Sequence, residues 1–137
     1  MPFKGIDHTA DIGIRVWASD MASLFAEAAR GMFEQITDLK RVQTTRTFTR
    51  AVDGRDETDL LINMLRELLY TFTGKGLLVK NVEFEAISET GLTMRISGEK
   101  YNPEKHEIRT EIKAVTYAGG DIRKTSEGFE TVIIFDI

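Results

Sequence analysis

The chain has 137 residues and carries 18 Lys and Arg against 22 Asp and Glu, a net charge of −4 at pH 7. That length predicts a single domain, residues 1–137, able to bury most of the surface its unfolded form exposes. Net acidity excludes tight nucleic-acid binding through overall charge, so any link to RNA runs through a local patch or a partner protein. There is no cysteine, which excludes disulfides, thiolate metal sites and a cysteine nucleophile and suits a reducing cytoplasm. The start of the sequence lacks the basic segment and apolar core of a secretory signal. No apolar run approaches the roughly 20 residues that span a bilayer. A cytoplasmic protein with no membrane contact is expected.

Near the start, Ile12, Ile14 and Val16 alternate with small or polar residues, as in a strand with one buried face. The period then changes. Leu24, Phe25, Ala28, Met32, Phe33 and Ile36 recur at helical spacing, and Ser19 or Asp20 can cap a helix over roughly 20–36. Residues 45–52 are rich in threonine and end on Asp53-Gly54, which reads as a strand and a turn. Leu60, Leu61, Met64, Leu65, Leu68, Leu69 and Phe72 form an unbroken apolar stripe on a second helix. Asp56, Glu57 and Asp59 complement its dipole at the start, and Gly74 and Gly76 stop it. Residues 77–87, 92–97, 111–117 and 130–136 are short β-prone runs, separated by turn-forming stretches such as SETG, YNPEK, AGGD and SEG. Each helix has one apolar stripe to cover. The expected class is therefore α+β, a two-layer sandwich with two helices packed on one face of a mainly antiparallel sheet.

Function concentrates at the two ends of the sequence. Asp7, His8 and Asp11 precede the first apolar alternation, and the last strand finishes on Asp136 and Ile137. If the first and last strands were neighbours, Asp11, Asp136 and the free carboxylate of Ile137 would converge on one sheet end. Clustered carboxylates need a proton or a cation to compensate them, and oxygen-only ligands suit calcium or magnesium better than zinc. Against this stands the ordinary role of such acids as turn and cap residues, and of His8 as a hydrogen-bonding loop histidine. On residue chemistry alone the ordinary role is the stronger reading.

Other constellations carry less. There is no phosphate-binding glycine motif and no nucleophile elbow. Two histidines, His8 and His106, leave few general bases. Glu99, Lys100, Lys105, His106, Glu107, Arg109, Glu111 and Lys113 form a mixed-charge cluster, read first as a solvated strand face and second as a docking surface. Trp17 and Tyr117 suit either a ligand wall or the core. Catalysis by this chain alone is not expected.

Five blocks carry a resemblance to a known family: DHTADIGI, ASDMASLFAEAARGMF, DLLINMLRELLYTF, HEIRTEIKAVTY and the closing VIIFDI. In this order and spanning nearly the whole chain, they resemble the archeases, protein cofactors of the RtcB-type RNA-splicing ligase. The resemblance implies a non-enzymatic protein that promotes guanylylation of the ligase histidine and its multiple turnover in tRNA splicing and RNA repair. It also implies RNA contacted only through the ligase, and neither a membrane nor a DNA partner. A divalent cation, calcium, is implied at the junction of the chain ends, with Asp11, Asp136 and Ile137 as ligands. Ala118 departs from the histidine that many relatives carry after the AVTY run. The alternative reading is a metal-dependent phosphoester hydrolase with Asp11 and Asp136 as ligands and His8 as its base; a direct RNA-binding chaperone is a third.

Overall fold

The computed structural model describes residues 2–7 and 11–137, with the backbone alone for Ile6 and Asp7. In chain order the elements are β1 (Phe3–Asp7), β2 (Asp11–Ala18), α1 (Met21–Ile36), a 3-10 turn (Leu39–Arg41), β3 (Arg46–Asp53) and α2 (Glu57–Thr73). They continue with β4 (Leu77–Ile87), β5 (Gly91–Lys100), β6 (Ala114–Thr116), β7 (Arg123–Thr125) and β8 (Gly128–Asp136). The fold is α+β, and every strand pair is antiparallel.

The strands divide between two hydrogen-bonded sheets. One runs β1-β2-β8-β6, with β7 also paired to β8, and the other runs β3-β5-β4. The helices form the second layer and join the two sheets: α1 packs on β2 and β4, and α2 on β3, β4 and β6. Burial follows the sequence periods. Ile14 and Val16 from β2 and Ile133 and Phe135 from β8 are buried against Leu24, Phe25, Met32 and Phe33 of α1 and Leu61, Leu65 and Leu68 of α2. Each such side chain contributes about 1.5–3 kcal/mol on burial, so the helical layer is held chiefly by its apolar stripes.

Helix ends form where the sequence signals them. The Asp20 carboxylate accepts the Ser23 N–H at 2.8 Å and caps α1. Asp56 accepts the Asp59 N–H at 2.8 Å and caps α2. Gly76, at φ 72°, reverses the chain after α2 in a conformation side chains resist.

Three features differ from the sequence reading. β1 and β7 are additional strands, short and with little apolar alternation. The expected strand over 111–117 contracts to Ala114–Thr116, and the chain ahead of it, at residues 107–109, is tied to the end of α1. Thr37 bridges Ile108, its hydroxyl donates to the Glu107 carbonyl at 2.7 Å, and the Arg109 N–H donates to the Ile36 carbonyl at 2.7 Å.

At Gly98, opposite Val79 where the β4 register shifts, a Cβ would lie 2.0 Å from the Leu78 carbonyl oxygen. Only backbone movement relieves such a clash. Gly98→Ala is expected to cost about 1–3 kcal/mol in chemical denaturation. Gly5→Ala, whose added Cβ would meet its nearest atom at 3.8 Å, should leave stability equal or slightly raised. Equal effects would refute the close approach at Gly98.

Candidate functional site

The β2–β8 ladder sets Asp11 directly opposite Asp136. Directly opposed residues project from the same face of a sheet, with Cβ atoms about 4.5–5.5 Å apart. Along β2, Ile14 and Val16 are buried under the helices whereas Arg15 and Trp17 are exposed. Asp11 is in step with the second pair, so both acids lie on the face turned away from the helices. Asp11 is half-buried with its Oδ1 shut off from solvent, and Asp136 is exposed. On the other side of Asp136, Ala114 of β6 is its ladder partner, and the Lys113 N–H donates to the Asp136 carbonyl at 2.8 Å. Its backbone is thus held between two strands. Ile137 follows immediately, exposed and outside any strand.

Like charges directly opposite across a ladder destabilise it. The donor set here is oxygen, the chemistry that hard cations such as calcium or magnesium take. No group of three His, Asp or Glu side chains among the described residues is placed to hold a metal. Besides the two carboxylates, the tip therefore offers main-chain oxygen at Ile137. His8 lies outside the described residues, and the Asp7 backbone pairs with Ile12.

The family model for "Archease protein family (MTH1598/TM1083)" matches residues 3–137. The chain belongs to the archease family. "Protein archease" of Methanopyrus kandleri is 38% identical over 120 residues, covering 85% of this chain and 86% of that protein. "Protein archease" of Methanosarcina mazei is 34% identical over the full length of both. The solution structure of protein 1598 of Methanobacterium thermoautotrophicum superposes with a TM-score of 0.84 at 30% identity, covering 99% of each chain. A Thermotoga maritima crystal structure, described as an archease and possible chaperone, shares the fold at 22% identity and a TM-score of 0.65, covering 96% of this chain and 94% of that one.

In this archease two polar networks support the sheet around the tip. The first joins α2 to the chain after β6. Buried Asp59 accepts the Tyr117 hydroxyl at 2.5 Å, the Arg55 N–H at 2.9 Å and the Arg55 guanidinium at 3.3 Å. These donors, the Tyr117 hydroxyl foremost, hold the Asp59 carboxyl well below its ordinary range. The same hydrogen bond raises the Tyr117 phenol. Two helical turns on from Asp59, Arg66 donates to the Val115 carbonyl at 3.0 and 3.1 Å while stacking over the Tyr117 ring. The sequence showed Asp59 as a dipole acid only, since its Tyr117 partner lies 58 residues away. Tyr117 and Trp17 are both exposed, so neither is a core residue.

The second network corrects the reading of the cluster around His106. Lys100, Glu107, Arg109, Glu111 and Lys113 are exposed as a solvated face requires, but residues 101–113 form no named strand and the His106 ring is buried. Its Nδ1 accepts the Asn102 N–H at 3.0 Å, which places the ring proton on Nε2, 3.1 Å from both the Arg41 carbonyl and the Glu99 carboxylate. Glu99 also accepts Lys105 Nζ at 2.6 Å and the Gln43 N–H at 2.9 Å. Lys105 is the main cause of a Glu99 carboxyl lowered from 4.5 to about 2. The arrangement binds the end of β5 to the 3-10 turn and is structural.

A carboxyl lowered in the folded state stabilises the protein above its unfolded value and loses that contribution as pH falls through the folded one. The Glu99 contribution is thus complete above about 4.5 and fades towards 2. Thermal midpoints followed from pH 7 downward should fall across that window, and Glu99→Gln should be less stable at pH 7 with a shallower acid limb. An unchanged acid limb in the variant would remove Glu99 from the account.

Proposed function

We propose that this archease is a non-enzymatic protein cofactor of an RtcB-type RNA ligase, promoting guanylylation of the ligase histidine and multiple turnover in the cytoplasm. Asp11 opposite Asp136 is the observation that carries the reading, together with family membership. Asp11, Asp136 and main-chain oxygen at Ile137 would hold a hard divalent cation, calcium being the one the family resemblance implies. When bound, the ion supplies charge compensation to the opposed carboxylates. The chain's own residues do the rest. The β2–β8 and β6–β8 ladders fix both acids on one rigid sheet end, and the Asp59 and Arg66 hydrogen bonds hold β6 against α2. A preorganised acidic tip of this kind costs little ordering on docking into the ligase's metal- and nucleotide-containing cleft. The hydrolase reading needs a general base; its candidate, His8, lies outside the described residues, and the only other histidine, His106, is buried with both ring nitrogens engaged.

The direct test is multiple-turnover RNA ligation and ligase guanylylation with the cognate ligase. Wild-type protein should accelerate both, and Asp136→Ala, shown folded by circular dichroism, should lose about tenfold or more of the acceleration, the scale of disturbing a metal-site residue. Failure of folded wild type to accelerate ligation would remove the cofactor reading. A short extension after Ile137 should weaken activation and leave the thermal midpoint in place. An extension without effect on activation would take Ile137 out of the working tip.

A further inference from the structure

β3 is an edge of the β3-β5-β4 sheet, and beside it runs a groove of about 170 Å³ lined by Arg46, Phe48, Arg50, Thr71, Lys75 and Leu77. Three cations and no acid line it, in a chain whose net charge is −4. Arg50 Nε lies 3.7 Å from Glu67 in a partly exposed pair. Arg46 and Lys75 have no carboxylate partner among the described residues. The carbonyl end of α2 is muted here, because Gly74 and Gly76 N–H groups donate to the Tyr70 and Phe72 carbonyls at 2.7 and 2.8 Å.

Aromatic rings are interleaved with these cations. The Arg50 guanidinium lies 4.8 Å from the Phe48 ring centroid, and Lys75 Nζ lies 5.9 Å from that of Tyr70. At 56% exposure, Tyr70 is the most exposed large hydrophobic side chain among the described residues. Charges on an edge strand deter pairing with other strands, which accounts for Arg46 and Arg50. It does not account for an exposed tyrosine on the adjacent helix with a lysine over its ring. Cations spaced along a groove with exposed aromatics are the chemistry that holds single-stranded nucleic acid, phosphates on the cations and bases on the rings.

We propose that this groove binds single-stranded RNA directly, with Arg46 and Lys75 on phosphates and Tyr70 as the stacking surface. The binding rests on the groove itself. The choice of RNA over DNA rests on the proposed function, and goes beyond it, since there RNA is reached only through the ligase. A duplex would keep its bases from Tyr70. An acidic peptide would use the cations and have no need of the ring.

Fluorescence anisotropy with a labelled oligouridine and the protein alone, no ligase present, tests this without depending on ligase activation. Binding is expected in the range of about 10⁻⁴–10⁻⁶ M, with an affinity that falls as salt rises, by a slope of about −0.7 per phosphate neutralised. Arg46→Glu with Lys75→Glu should weaken it at least about tenfold and flatten the slope. Tyr70→Ala should weaken it about fivefold or more, the scale of one stacked base, with the slope unchanged. Arg95→Glu, which reverses a charge paired with Glu83 at 2.7 Å, is the control and should bind as wild type. No binding by folded wild type overturns the proposal. So does equal loss in the Arg95 control, tighter binding of duplex, or displacement by polyglutamate with no sensitivity to Tyr70. Equal binding of oligothymidine would keep the single-stranded site but overturn RNA as its particular ligand.

Discussion

All of β2 is paired with β8, from Asp11 opposite Asp136 to Ala18 opposite Phe129, and the rest of the molecule depends on that register. Residues from opposite ends of the sequence meet in it. A strand has a period of two, so a slip of β2 by one residue against β8 would send Ile14 and Val16 outward and carry Asp11 inward. The apolar layer under α1 and the placement of the tip are therefore fixed by the same constraint. Burial supplies the energy, and the opposed carboxylates ride on it at some electrostatic cost.

Three other carboxylates serve the fold. Asp59 and Glu99 are each surrounded by donors, Tyr117 and Arg55 for one, Lys105 and the Gln43 N–H for the other. Both knit elements distant in sequence and both are satisfied by the chain. Glu130 is likewise held low by Arg15, at 2.8 Å, and stands near Arg123 at 2.5 Å. Asp11 faces another acid across its ladder.

Much of the architecture was legible because it follows from periodicity. Both helices, their capping acids and the long strands β4, β5 and β8 have apolar residues at the spacing their structure needs. β1 and β7 had no such signature; each exists because a longer neighbour, β2 or β8, offers it an unpaired edge. The contraction around 101–113 was hidden for a related reason, since His106 and Arg109 also reach carbonyls 65 and 75 positions away. At the site, the sequence displayed the two acids but not their opposition, which is a property of strand order. The Asp59–Tyr117 pair and the groove beside β3 are tertiary in the same sense. Alternation of Arg46, Phe48 and Arg50 was visible, but not that Lys75 and Tyr70 lie alongside.

The most direct test of the account is a calcium titration of uniformly ¹⁵N-labelled protein followed by amide chemical shifts. The account predicts that the amides of Asp11, Asp136 and Ile137 move together along one saturable curve, and that Asp11→Asn abolishes the movement while the remaining spectrum stays folded. Shifts that instead centre on Asp59, Glu99 or Glu130, or no saturable shift at all, would contradict the claim that the β2–β8 register builds a cation-holding tip.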